Sequence, residues 1–492
     1  MDSNNVVIKY LGTLGYNPST SYYGYIELWK EWYENFVPKF HEYHDQNGDK
    51  RELYKLGMAK RLCEDWSSIL YTERDSIVCK NKQNQAFIDK WLGKLEFNDK
   101  IPDNIETAFW SGTCGTIIRI KNAKIVNKKI VADENTTLNL VSVNASQIIP
   151  LKIIDGVITD VAFVSKSVIN SKNAFYIEIH ELKKDGYHIQ NKYIDEQGNE
   201  IENAGVIKEY ETGSAVPLFN LLMPRVVNNI KENNGLGISI YANAIDQLQG
   251  VDIVYNNFMK DFYLGGKKVF YNKKLTKYYT QTYTDKETGD VVVQEIPIYP
   301  DDITKQQFQI VGDDVDVNAE TLVHEYNPDL RETENENGLN LALNILAFKS
   351  GLGKAYYKFE QGGVVTATQA ILDNKDLVGN AKKHRSALNK YTIGIVRSIL
   401  MIGRLFFNEN VDENDTINLV DKDGFLNSEE DQKEEYRNEM SMGLRSKVGY
   451  LMKFYGMSEE DAKKELALIN EEDNLQISNM EVGVWNKEIN FI

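Results

Sequence analysis

The stretch 338–407 constrains the fold most, because it joins a short apolar helix pattern, a glycine-rich loop and a very long helix pattern. Leu343 and Leu346 belong to a set of apolar residues at helical spacing, which predicts one apolar face that needs a partner surface. Gly351 and Gly353 are expected to end this helix. The long pattern that follows therefore begins a second element.

The loop between the two patterns reads LGKAYYKFEQGG, with two lysines, three aromatic residues and glycines at both ends. Glycines tolerate backbone conformations that other residues avoid, so we predict a hinged loop. The lysines are Lys354 and Lys358, the aromatic residues are Tyr356, Tyr357 and Phe359, and the hinge glycines are Gly351, Gly353, Gly362 and Gly363.

A helix is predicted to restart after this loop. Thr366 and Thr368 supply N-cap hydroxyls before Gln369, and apolar positions recur at three- and four-residue steps as far as Phe406. Such a helix would be roughly 60 Å long. Two glycines inside it, Gly379 and Gly394, are places where it could kink.

The 492 residues predict two or more domains, and the 42% apolar content is enough for real cores. No apolar run of membrane-spanning length and no signal-like N-terminus are present, so we expect neither a membrane span nor a secretory signal. The three separated cysteines predict reduced, buried thiols in an intracellular protein. A net charge of −17 argues against a protein that binds nucleic acid tightly. It does not exclude a protein through which nucleic acid moves without binding.

The spacing of apolar residues changes once within the N-terminal part of the chain. Residues 19–110 show helical spacing with aromatic stripes, whereas 113–210 alternate apolar and polar residues between turn signals, which predicts antiparallel strands. His41 and His44 could hold a metal ion, but without a third ligand a solvated loop is favoured. A structural role is favoured for His180 and His188 in the strands.

A second helix is predicted from Ser239, which is a plausible N-cap, to the stop at Gly265. Its strict seam indicates lengthwise packing against a neighbour, in this chain or in another subunit. The seam residues are Leu248, Val251, Tyr255, Phe258 and Phe262. Residues 267–332 return to strand patterns and predict a small α/β insertion at the far end of a helical hairpin.

The chain becomes acidic after 407, and short helices are predicted from near Ser428 and from Ser458. No nucleophile elbow, P-loop, dinucleotide-binding glycine motif or zinc-protease motif is present. Asp373 and Asp376 form the nearest carboxylate pair, which is better explained as an exposed helix face. These observations predict a structural or assembly protein without catalytic residues, cofactor or metal site, rather than an enzyme.

Together, the segments resemble the portal proteins of tailed double-stranded DNA phages, most closely the type found in phages of Gram-positive bacteria. The strongest match is SGLGKAYYKFEQGGVVTATQAILDNKDL, where relatives carry a glycine, an aromatic run, a turn and Thr-Ala-Thr-Glu before a Ser-Glu-Asn-like triplet. Gln369 stands where glutamate is usual, and Asp373-Asn374 fills part of the triplet. Supporting matches are SVNASQIIP, IEIHEL, LFNLLMP with GLGISIYANAIDQL, and LGGKKVF, in order over about 100–470.

The resemblance implies an α+β, multi-domain portal fold that assembles into a ring, usually of twelve subunits, around an axial channel. It implies the following division: 1–238 the wing, 239–265 the first stem helix, 266–332 the clip, 333–350 the second stem helix, 351–365 the tunnel loop, 366–424 the long kinked helix with a return to the wing, and 425–492 the crown and C-terminal tail.

The resemblance also implies a location at the portal vertex of the virion after assembly in the host cytoplasm. Its expected partners are double-stranded DNA bound without sequence specificity, the terminase large subunit, a head-completion adaptor, and the major capsid and scaffolding proteins, with no membrane. Lys354 and Lys358 would face the DNA, the alternative being ordinary solvated lysines. Tyr356, Tyr357 and Phe359 would pack between neighbouring loops.

Two other classes stay open. A filament or baseplate component of a phage-like particle would form open assemblies rather than closed rings. A metal-dependent nucleic-acid-processing enzyme would need clustered carboxylates and would cleave DNA in magnesium.

Overall fold

The computed structural model describes residues 2–45, 48–71, 76–169, 171–202, 207–265, 268–272, 277–285, 289–298, 307–310, 323–354, 356–357, 375–420 and 429–469. Helix and strand are both abundant, so the α+β expectation is confirmed at that level. The chain divides into two compact units, one of residues 1–70 and 79–416 and one of residues 71–78 and 417–492. None of the helices described is both long and apolar enough to span a bilayer.

The N-terminal region is mainly helical, as its spacing predicts. Trp29, Leu62 and Trp66 are buried on the apolar faces. The helices are Asp2–Thr13, Tyr23–Tyr33, Pro38–His41, Met58–Leu70, Lys82–Lys94 and Phe97–Ser111. A short hairpin of β1 (Glu42–His44) and β2 (Lys50–Glu52) interrupts them.

The prediction that His41 lies in a solvated loop is wrong, because its side chain is fully buried. The amide of Val37 donates to His41 Nδ1 at 2.8 Å, so the ring proton lies on Nε2, which faces Asp252 Oδ2 at 3.1 Å. The other oxygen of Asp252 accepts from the amide of Leu56 at 2.8 Å. Polar sequence context suggested exposure here, but a carboxylate from a distant helix satisfies the buried ring. His44 is exposed.

The strands predicted over 113–210 are confirmed. They are β4 (Cys114–Lys121), β5 (Lys124–Val126), β6 (Lys129–Val131), β7 (Thr137–Asn144), β8 (Ile148–Ile154), β9 (Val157–Ile169), β10 (Lys172–Lys183), β11 (Gly186–Asp195) and β12 (Glu209–Glu211). A further strand that the sequence did not predict, β13 (Phe219–Leu222), follows beyond that range. One sheet has the order β5-β6-β12-β11-β10-β9-β8 and another β13-β4-β7. Their pairs are antiparallel except β12 with β6. The larger sheet buries residues such as Ile177 against Leu11 of the first helix.

Two helices, Ile245–Leu264 and Glu332–Lys349, pack together as an antiparallel pair. Arg331 and Asn335 at the start of the second helix both bond to Asp261 near the end of the first. The helix therefore packs lengthwise against a neighbour in the same chain. Burial decreases along its predicted seam: Leu248 and Val251 are buried, Tyr255 and Phe258 are half-buried, and Phe262 is 45% exposed.

The predicted start of the first of these helices at Ser239 is wrong. A 3-10 turn at Ala242–Ala244 precedes the α-helix, which begins at Ile245. The Ser239 hydroxyl donates instead to the carbonyl of Phe109 at 3.1 Å and accepts from the amide of Tyr241 at 3.3 Å. Because the hydroxyl is used to dock this segment onto another helix, it does not cap its own.

The segment between the two helices consists of strands in its described residues. They are β14 (Lys268–Asn272), β15 (Lys277–Thr284), β16 (Val291–Ile298), β17 (Gln307–Ile310) and β18 (Val323–Tyr326). One sheet has the order β17-β14-β18, and β15 and β16 form a two-stranded sheet. The strands are as predicted, whereas the helical part of the expected α/β insertion is not found among the described residues.

The long helix runs from Lys375 to Leu405, which is 31 residues, or about 46 Å. The predicted capping residues, with Gln369, lie outside the described residues. The helix continues through both Gly379 and Gly394. Gly394 has a packing reason, since a Cβ built there would lie 2.1 Å from the Asn220 side chain.

The second unit contains β19 (Ile417–Val420), which pairs with β3 (Ser76–Cys79). It also contains helices at Glu429–Ser441, Lys447–Tyr455 and 459–469. The Ser458 hydroxyl accepts from the Asp461 amide at 3.2 Å, so the predicted cap is confirmed.

The three cysteines are free and buried, as the sequence predicts. Burial raises the pKa of Cys79 to about 11 and that of Cys114 to about 12, so neither thiol is a ready nucleophile.

Candidate functional site

The best-defined candidate site is the base of the glycine-rich loop, where the Glu332–Lys349 helix ends. The amide of Leu352 donates to the carbonyl of Ala347 at 2.9 Å, and the amide of Gly351 to that of Phe348 at 3.3 Å. This pair of bonds is a Schellman motif, and it requires the left-handed φ of +85° at Gly351. Leu352 is fully buried beside it. Gly351 therefore ends the helix, as predicted, through a defined backbone geometry.

Two side chains from other helices hold the carbonyl groups of this motif. Trp66 Nε1 donates to the carbonyl of Ser350 at 3.2 Å, and Asn380 Nδ2 donates to that of Gly351 at 3.0 Å. Ser350 is itself buried. These bonds satisfy carbonyl groups that a helix end leaves without intrahelical partners. The loop base is thus fixed to both the Met58–Leu70 and the Lys375–Leu405 helices.

The Trp66 ring also contacts His384 of the long helix, with ring centroids 4.8 Å apart. Burial lowers the pKa of His384 to about 4, so the imidazole is neutral at pH 7. Its Nδ1 accepts from the amide of Arg225 at 3.0 Å. The site therefore rests on a buried, uncharged aromatic cluster.

A third anchor lies farther along the loop. The Tyr357 hydroxyl donates to Asp65 Oδ2 at 2.6 Å. Asp65 is buried and also forms a two-point ion pair with Arg61. Burial and the neighbouring carboxylate raise the pKa of Tyr357, which keeps its hydroxyl a donor. Tyr356 packs edge-to-face on Tyr357, at a centroid distance of 5.0 Å.

The structure brings together only some of the residues predicted for this loop. Lys354 is exposed, with its Nζ 5.9 Å from the Phe348 ring, and Gly353 has a φ of +86°. The remaining predicted residues lie outside the described residues; they are Lys358, Phe359, Gly362 and Gly363. Sequence reasoning missed Asp65, Trp66 and Asn380 as parts of the site, because nothing local to them indicates which distant segment they contact.

The strands contain two histidines with carboxylate partners. His180 is buried beside Glu178 at 3.0 Å, and Glu178 also binds Arg119, which fits the predicted structural role. His188 lies with Asp185 and Glu211 near the start of β11, where all three are at least partly exposed, and this is the group of side chains in the described part of the chain that could hold a metal ion. His188 and Glu211 lie directly opposite each other on two paired strands, and their spacing in the sequence did not indicate this pairing.

The carboxylate pair considered for catalysis does not form a described site. Asp376 is exposed in the first turn of the long helix, and Asp373 lies outside the described residues. Neither a scan against protein-family models nor a search of curated proteins found a match to the chain.

Proposed function

We propose that this chain is a portal protein of a tailed double-stranded DNA phage. Copies of it would close into a ring of about twelve at one capsid vertex, through which DNA is packaged and ejected. The terminase motor and the head-completion adaptor would dock on this ring, and the capsid and scaffolding proteins would surround it. The chain itself would then need no nucleotide site, because the motor is a separate protein.

The observation that carries the proposal is the order of elements from 245 to 405. A helix leads into a strand-built segment, an antiparallel helix returns, a Schellman turn ends it, and a 31-residue helix begins farther along the chain at Lys375. This order agrees with the stem, clip, tunnel loop and long helix of the family that the motifs resemble. Exposed aromatic residues toward the strand-built end of the pair, such as Phe262 and Tyr263, leave surface for a neighbouring copy.

The negative charge of −17 suits a channel that lets DNA slide, since an acidic wall repels phosphates. In this proposal the exposed Lys354, with Lys358, supplies sparse positive charge to limit that barrier. The anchored loop base would present this charge at a fixed height in the channel.

The decisive experiment is electron microscopy of the purified full-length protein. We expect closed rings with an axial channel and a single predominant subunit number. Open filaments would favour the baseplate or filament class, and magnesium-dependent DNA cleavage would favour the enzyme class. Either result, in the absence of rings, would refute the proposal.

The role of the loop lysines is tested separately, by packaged DNA per particle in a phage that carries Lys354→Ala and Lys358→Ala. We expect reduced DNA packaging or retention with normal ring assembly. The matched control changes Lys82 and Lys90, two exposed lysines on another helix, to alanine. Normal packaging in both double variants would show that the loop lysines are ordinary solvated residues.

A further inference from the structure

The start of β11 and the end of β12, two neighbouring strands of the seven-stranded sheet, place three potential metal ligands together. His188 of β11 lies directly opposite Glu211 of β12 in the strand register, and Asp185 lies in the turn that precedes β11. One ligand atom from each residue lies within 4.8 Å of the other two. The register fixes two of the three side chains through backbone pairing, which limits the rearrangement that binding would require.

The two carboxylates contact the imidazole differently. His188 Nε2 is 2.9 Å from Asp185 Oδ1, which is a hydrogen bond, and this bond lowers the pKa of Asp185. His188 Nδ1 is 3.8 Å from Glu211 Oε1, which is too long for a hydrogen bond. In the neutral imidazole the proton lies on Nε2 and is donated to Asp185. The lone pair of Nδ1 therefore faces a carboxylate oxygen of Glu211. Two acceptors that face each other are stabilised by a cation between them.

The 3.8 Å separation suits such a cation. Ligand atoms about 2.1 Å from a zinc ion are about 3.4 Å apart at a tetrahedral angle and about 3.8 Å apart at a wider one. A ring nitrogen that donates to a carboxylate while the other nitrogen binds a metal is the usual arrangement of a metal-bound histidine.

The neighbouring lysines have other carboxylate partners. Lys183 lies 3.1 Å from Glu181, and Lys128 lies 2.8 Å from Glu209. Within the described ranges Glu211 forms no ion pair with a lysine or arginine, although the charge of Lys128 lies near enough to interact with it. The side chains of His188 and Glu211 are 18% and 28% exposed, so a solvated ion can reach them.

We propose that His188 Nδ1 and the Glu211 carboxylate bind a divalent cation of the zinc class, with Asp185 accepting the Nε2 proton and orienting the ring. Water completes the coordination. Two carboxylates beside a neutral imidazole carry a charge of −2, which a divalent ion neutralises. The site pins the short strand β12 to β11, and it is independent of the portal proposal.

The test is isothermal titration of the full-length protein with zinc chloride. We expect one saturable site that His188→Ala abolishes and Glu211→Gln weakens at least tenfold. Asp185→Asn should weaken it roughly 10- to 100-fold, because it removes the orienting acceptor. His44→Ala, at an exposed histidine on the β1–β2 hairpin, is the matched control and should bind as the unaltered protein does.

Far-UV circular dichroism and thermal unfolding in EDTA establish that each variant is folded. Equal zinc binding by the unaltered protein and the folded His188→Ala variant would overturn the proposal. The absence of zinc binding by the unaltered protein would also overturn it.

Discussion

Tyr357→Phe should loosen the base of the glycine-rich loop without unfolding the protein. The substitution removes one hydroxyl, which donates to Asp65 at 2.6 Å, and leaves the aromatic ring in place. A hydrogen bond to a charged group contributes about 1.5–3 kcal/mol. Arg61 still pairs with Asp65 in the variant, so the lower figure applies. At about 1.4 kcal/mol per factor of ten, the open population of the loop base should rise roughly tenfold.

Native-state hydrogen exchange measured by mass spectrometry detects this change directly. Peptides that cover 350–357 should exchange roughly tenfold faster in the variant, whereas peptides from β10 should not change. The matched control is Tyr356→Phe, because the Tyr356 hydroxyl forms no hydrogen bond to the part of the chain that the structure describes. Asp65→Asn supplies a double-mutant cycle, in which the effect of Tyr357→Phe should shrink.

Two results would refute this reasoning. Equal exchange in the Tyr357→Phe and Tyr356→Phe variants would show that the Asp65 bond does not hold the loop base. Faster exchange throughout the chain would show that the bond supports the whole unit rather than the loop.

Two further predictions concern the buried residues beneath the loop. The pKa of His384 is lowered to about 4 in the folded protein, whereas a histidine in the unfolded chain has a pKa near 6.5. Between these two pH values the unfolded chain binds a proton that the folded protein does not bind. Stability should be full above pH 6.5 and fall by about 3 kcal/mol as pH drops to 4, and urea titrations should show a flatter profile for His384→Gln. Tyr391→Phe removes the buried hydroxyl that bonds Asn104 Nδ2 at 3.0 Å and the Thr116 hydroxyl at 2.5 Å, which leaves the Asn104 amide with only a long, 3.5 Å contact to Thr116. It should lower the free energy of unfolding by about 1–3 kcal/mol in chemical denaturation, and an unchanged midpoint would contradict it.

Elements whose burial repeats along the chain were predictable from the sequence. Period-two alternation predicted the strands from β4 to β11, although β4 buries its first five residues in a row and so follows the alternation only in part. The seam of the Ile245–Leu264 helix predicted that the helix has a packing partner, but not whether that partner lies in the same chain. The error at Ser239 has a different origin, since a hydroxyl can cap its own helix or bond another one, and the choice depends on Phe109, 130 residues earlier.

The anchors of the loop base were not predictable, because each joins residues far apart in sequence. Trp66 and Ser350 are separated by 284 positions, and Asp65 and Tyr357 by 292. Helical spacing correctly placed Trp66 on a buried face. It could not indicate that the indole N–H would meet a carbonyl at a helix end, because that contact depends on how two helices are packed.

These anchors distinguish the two glycines that the sequence treated alike. The φ of Gly351 is a requirement of the Schellman turn, and its carbonyl accepts a hydrogen bond from Asn380, so its backbone is held on both sides. A Cβ at Gly351 would also lie 3.1 Å from the Asn380 amide. A Cβ at Gly353 would meet nothing nearer than 3.9 Å, so only its backbone angle demands glycine. If the loop moves as the sequence predicts, its movement must therefore break the Tyr357 bond to Asp65 as well as the contacts that hold Gly351.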